Sequence, residues 1–180
     1  MDSICETNDT STEINIYEII PNLNLDDIIT YMSSYFTHII KYNKKHNIKA
    51  INDVFYSKKI PNLLIEDFIK RIIKYTNIEK DTLISSFIYI NKFIYNEKYI
   101  IGLNNIYKLI IASCTIAIKF HEDSNFTNSY YGKIGGLSLK EINIIEYYFY
   151  SKINFEMYIY ENDYIFVLED IYNHREKFHK

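Results

Sequence analysis

Only two prolines and four glycines punctuate this 180-residue chain. With so few breakers, long helices are favoured over a loop-rich or all-β fold, although Ile and Tyr individually lean towards strands. Cysteine is scarce too. Cys5 lies in a polar stretch and Cys114 in an apolar one, which excludes a disulfide scaffold and fits a reduced, intracellular protein of the nucleus, the cytoplasm or both. No sign of charge dominates: 20 Lys and Arg stand against 23 Asp and Glu, for a net charge of -3. That balance carries no electrostatic footprint for nucleic acid. No uncharged apolar run reaches membrane-spanning length, and MDSICETNDT lacks the basic and apolar regions of a signal peptide.

What the chain does have is bulk. Its 19 Tyr, 11 Phe and heavy load of Ile can fill the core of one domain of this length. Residues 1–22 are polar, acidic and aperiodic, and are expected to form a disordered tail. From Leu25 to about Lys45, Ile28, Ile29, Met32, Tyr35, Phe36, Ile39 and Ile40 recur at helical spacing behind an Asn24 cap. Pro61 is expected to open a second helix running to about Tyr75. A third is expected over about Asp81–Tyr95. Behind Asn104 or Asn105, a central helix from about Ile106 to Phe120 is apolar on nearly every face, so it must sit among other helices. A polar loop follows. Ser138 and Glu141 then form an S-x-x-E capping box that opens a helix over Leu139 to about Lys152. NFEMYIY is a connector, Asn162 or Asp163 caps a last helix to about Asn173, and HREKFHK is expected as a charged tail over 174–180.

Several groups invite chemistry that their spacing refuses. Residues 131–136, YGKIGG, lack the P-loop spacing and its final Lys-Ser/Thr, so the glycines are expected to serve the turn into the capped helix. His121 and Glu122 fail the HExxH pattern because position 125 is Asn, leaving a hydrated loop start and no metal site. Cys114, set in a wholly apolar helix, is a small core residue rather than a nucleophile. Tyr130 and Tyr131 could stack on bases, but no clustered basic face accompanies them. No catalytic residue, cofactor or small-molecule substrate is expected.

The stretch from Ala112 to Glu146 (ASCTIAIKFHEDSNFTNSYYGKIGGLSLKEINIIE) resembles the cyclin box. The aromatic pair before Gly-Lys-Ile-Gly-Gly, with Ser-Leu-x-Glu-x-Asn-x-x-Glu after it, is similar to the P-type (U-type) branch named for phosphate signalling. The resemblance covers roughly 23–173 and implies an all-α, single cyclin box of five helices preceded by an N-terminal helix. It also implies function: a regulatory subunit, without enzymatic activity, that binds and activates a cyclin-dependent serine/threonine protein kinase. By the same resemblance, Lys119 in Ala117-Ile118-Lys119-Phe120 and Glu146, nine residues before Phe155, would grip the kinase. Ile116, Phe120, Tyr150, Phe155 and Met157 would line the apolar surface around them. A kinase-independent helical adaptor and a transcription-factor-like module are the alternatives.

Two positions depart from the cyclin pattern. Where many cyclins bury an Arg against an Asp, this chain has Asn62 and Asn91, an amide pair expected to satisfy itself by hydrogen bonding. The motif that forms the substrate-docking groove of cell-cycle cyclins is replaced by Asn62-Leu63-Leu64-Ile65, which argues against that mode of docking.

Overall fold

A computed structural model describes residues 23–178, with side chains as far as Glu176. The expected tail over 1–22 lies outside the described residues. Within them are seven helices and no strand: α1 (Leu25–Lys45), α2 (Ile65–Thr76), α3 (Lys80–Glu97), α4 (Ile106–His121), α5 (Asn128–Gly135), α6 (Leu139–Lys152) and α7 (Glu161–Phe178). The all-α reading is correct. The expected helix count is one short, because α5 falls where a loop was expected.

Helix α4 is the axis of the molecule. Twelve of its residues, from Ile106 to Ile118, are buried, as an all-round apolar helix must be. It packs against α3, α6, α5 and α2, while α1 and α7 close the far side of α3. The polar groups carried into this core are satisfied locally. Ser113 Oγ donates to the Ser86 carbonyl and Thr115 Oγ1 to that of Ile111. Cys114 is fully buried against Ser86, and burial pushes its thiol up to about 12, far from a reactive thiolate.

The ends of α1 and α6 form as their sequences specify. Asn24 and Asp27 make a reciprocal box, with Asn24 Oδ1 accepting from the Asp27 amide at 2.8 Å. At α6, Ser138 Oγ accepts from the Glu141 amide, and the Glu141 carboxylate accepts from the Ser138 amide at 3.0 Å. The Glu141 carboxyl is held below its usual range chiefly by that backbone bond and by the Ser138 hydroxyl.

Helix α2 starts four residues later than Pro61. The apolar stripe begins only at Ile65, and the Tyr107 hydroxyl takes the Leu63 carbonyl at 2.5 Å, holding the preceding residues in a bend. Asn62 is therefore exposed, and the expected amide pair does not form. Asn91 Oδ1 is buried with no hydrogen-bond partner among the described residues. Asn105 occupies the N-cap of α4, but its side chain does not cap. It accepts from the Gly102 amide and donates to the Ile100 carbonyl instead. Helix α7 does not stop at Asn173. It runs on to Phe178, with Arg175 lying 3.8 Å from Asp27 and the His174 ring packed edge-on to Tyr31. Residues 174–178 of the expected charged tail are thus helical.

The additional helix, α5, explains the glycines. Gly136 takes φ +69 and ends α5 in the left-handed region. Gly135 lies inside the helix, where a Cβ would stand 3.1 Å from Ile111 Cγ1. Glycine there lets α5 settle on α4, and it seats Tyr131, which has no exposed surface.

Candidate functional site

Three elements meet at one shallow cavity of about 310 Å³, lined by Ile116, Lys119, Phe120, Glu146, Tyr147, Tyr150 and Met157. Helix α4 supplies the first three, α6 the next three, and the connector after α6 supplies Met157. Ile116 and Met157 are buried and form the floor, while the Phe120 and Tyr147 rings stand in solvent. Six of the seven residues singled out in the sequence therefore line one cavity. The seventh, Phe155, borders it, with its ring 4.7 Å from that of Tyr150.

Lys119 and Glu146 meet across the mouth. Lys119 Nζ lies 2.5 Å from Glu146 Oε1, with the side chains 33% and 19% exposed. Both groups retain donors or lone pairs towards solvent, so an incoming polar group can join the pair without breaking it. The other Glu146 oxygen accepts from Asn128 Nδ2, which also donates to Asn143 Oδ1 at 2.7 Å. Asn128 is the first residue of α5. The helix missed in the sequence thus positions the carboxylate found there, and neither Asn128 nor the rim residue Tyr147 carried a signal of its own.

The connector is held in an uncommon conformation. Asn154 and Phe155 both adopt left-handed φ, +56 and +57, which costs an ordinary residue about 1–2 kcal/mol. Amide bonds from Asn154 to the Ser151 carbonyl and from Phe155 to the Tyr150 carbonyl hold the turn. The outcome is a phenyl ring left half in water beside the cavity. Strain of this kind gathers at binding sites, where the surroundings enforce it. With Tyr147, whose ring lies 6.5 Å from that of Phe155 and is also exposed, it makes an aromatic rim of the sort that marks contact surfaces.

Behind the floor, Tyr89 fastens the connector to the core. Its hydroxyl donates to the Met157 carbonyl at 2.7 Å and lies 2.8 Å from His121 Nε2. One phenolic proton cannot serve both bonds, so His121 Nε2 carries a hydrogen and donates to the tyrosine oxygen. His121, expected in a hydrated loop, instead ends α4 stacked on Tyr89. Glu122 accepts from the Glu79 amide at 3.0 Å. No group of three or more potential metal ligands occurs among the described residues.

Burial lowers the His121 pKa from its ordinary 6.5, despite the nearby Glu122. The folded state then binds fewer protons than the unfolded state just below that value. Stability is fully present above pH 6.5 and is lost as pH falls through it towards the folded pKa. Melting curves from neutral to mildly acidic pH are expected to show this slope, and His121→Asn to flatten it. An unchanged slope would place the titrating group elsewhere.

The sequence profile of the cyclin family matches residues 5–157. The chain belongs to the cyclin family. Cyclin-U2-1 of Arabidopsis thaliana is 33% identical over 107 residues, covering 59% of this chain and 48% of that protein. PHO85 cyclin-like protein psl1 of Schizosaccharomyces pombe is 33% identical over 108 residues, 59% of this chain and 44% of the other. PHO85 cyclin-7 of Saccharomyces cerevisiae is 25% identical over 182 residues, at 87% and 64%. These relatives are of the U and PHO85 types, in keeping with the P/U branch suggested by the glycine-rich segment. This cyclin spans about half the length of the first of them. Cyclins are regulatory rather than catalytic proteins, and no helix among the described residues of this one is long and apolar enough to cross a membrane.

Proposed function

We propose that this cyclin is the regulatory subunit of a cyclin-dependent serine/threonine kinase, acting inside the cell. The observation that supports this best is the Lys119–Glu146 pair at the mouth of an apolar, aromatic-rimmed cavity. A kinase helix could seat an apolar side chain on Ile116, Tyr150 and Met157. Its backbone or polar groups would bond to the ion pair. A kinase activator works by differential affinity: it must hold the mobile αC helix of its partner more tightly in the inward position than in the outward one. That position completes the Lys–Glu ion pair of the kinase and helps order its activation loop. ATP and Mg²⁺ belong to the kinase, and this cyclin would contribute no catalytic group.

The test is affinity capture from extract with the tagged chain. A protein kinase in the eluate, absent when the cavity is altered, is the expected result. Recovery of other proteins without a kinase would favour an adaptor instead.

Substrate choice should not use the docking groove of cell-cycle cyclins. Residues 62–64 precede α2 rather than forming its face, and Leu63 has its carbonyl tied to Tyr107. Excess Arg-x-Leu peptide should leave phosphorylation by the complex unchanged. Competitive inhibition would show that these residues do build the groove.

A further inference from the structure

On the α2–α5 side of the molecule, two clefts of about 200 and 360 Å³ share Arg71 and Tyr75 as walls. Lys133 of α5 and Lys74 of α2 stand at their edges. Six ion pairs are formed among the described residues, and none of them uses Arg71, Lys74 or Lys133. Lys70, beside them, is neutralised by Glu66 at 2.7 Å. Asp67 is the one carboxylate lining the wider cleft. In a protein of net charge -3, three cations on two helices line these clefts outside any ion pair, against the single carboxylate of Asp67. Dipole compensation accounts for a cation near the end of each helix. It does not account for their lining two clefts that share Arg71.

The walls are fixed as well as charged. Arg71 Nη2 donates to the Lys133 carbonyl at 3.4 Å, which ties the guanidinium across from α2 to α5 and leaves its other donors free. The Tyr130 hydroxyl donates to the Tyr75 carbonyl at 2.9 Å, and its ring stacks on Phe126 at 4.4 Å. The Lys74 ammonium lies 5.7 Å from the centre of the Tyr75 ring. A planar guanidinium shared by two clefts, one lined by Lys133 and the other by Lys74, matches a phosphoryl dianion, which accepts bidentate bonds from Arg and point charge from Lys. Ile134 and the tyrosine rings offer an apolar bed for a neighbouring residue.

We propose that the pair of clefts around Arg71 binds a phosphorylated serine or threonine in a protein segment, and that in the kinase complex it docks substrates already phosphorylated elsewhere. The binding concerns the free chain alone; its use in substrate choice rests on the kinase-activator reading. A polynucleotide fits less well, because the three cations are confined to two clefts that share Arg71 rather than forming a stripe along which a backbone could run.

The test uses a fluorescent phosphoserine peptide library with degenerate flanks, its unphosphorylated counterpart, inorganic phosphate as competitor, and duplex DNA. Binding of the phosphorylated library only is expected, with phosphate competing. Arg71→Glu with Lys133→Glu should weaken it at least about tenfold. Both residues are exposed, so the melting temperature should stay near that of the parent. Lys119→Glu with Glu146→Lys should bind the library like the parent, which separates this site from the kinase cavity. In the assembled complex, the same Arg71 and Lys133 changes should raise KM for a primed substrate about tenfold, with kcat and unprimed substrates unaffected. Equal binding with and without phosphate, indifference to the Arg71 and Lys133 changes, or preference for DNA would each overturn the proposal. A phosphopeptide that binds as expected while no kinase activity is ever found would leave this site standing and remove the activator role.

Discussion

Exchanging the two charges at the cavity mouth, Lys119→Glu with Glu146→Lys, is expected to leave a folded chain that no longer holds the proposed kinase partner. The exchange keeps one cation and one anion facing each other, so the local attraction survives. Glu146 loses only its bond from Asn128. Both groups are partly hydrated, and the cost to the free fold should stay within about 1 kcal/mol. Against a partner the polarity is inverted at both places. Disrupting a charged, hydrogen-bonded interface pair typically costs about 2–5 kcal/mol, so binding should weaken at least about tenfold. The melting temperature of the free variant and its affinity for the captured kinase are the two readouts. A variant that binds like the parent would remove these residues from the interface. One that unfolds would place the pair among the groups that hold the domain together.

The second large effect separates the two faces of α6. Phe149 is fully buried, stacked on Phe93 at 4.9 Å and edge-on to Phe55 at 6.3 Å. Phe149→Ala should cost about 3–5 kcal/mol, a large share of the ~5–15 kcal/mol that holds a domain together. Tyr147, two residues away, is 70% exposed. Tyr147→Ala should change stability by no more than about 0.5 kcal/mol while weakening kinase binding. Denaturant unfolding of the two variants settles it. A large loss at Tyr147 or a small one at Phe149 would reverse the assignment of the faces.

Legibility in the sequence followed how local each signal was. The α6 start could be read because Ser138 and Glu141 satisfy each other within one turn. The position of α4 could be read because its apolar residues leave no face for water. Lys119 and Glu146 came from resemblance, since alone each is an ordinary charge near a helix end. Helix α5 stayed hidden because two of its eight residues are Gly132 and Gly135, which read as breakers. Close approach requires them: a Cβ at Gly132 would stand 2.9 Å from the Leu137 carbonyl oxygen. The Asn62–Asn91 pair failed for a related reason. Pro61 suggested a helix start, but the bend held by Tyr107 carries Asn62 out into solvent. The contact of His121 with Tyr89 joins residues 32 apart in sequence, and no local pattern encodes it.

The most direct test is a titration of the captured kinase, purified free of this chain, with increasing amounts of the purified cyclin. Phosphorylation should rise from a low basal rate and saturate. Lys119→Glu with Glu146→Lys should shift that curve to at least about tenfold higher concentration. A kinase equally active with and without the chain, or activated just as well by the double variant, would contradict the account.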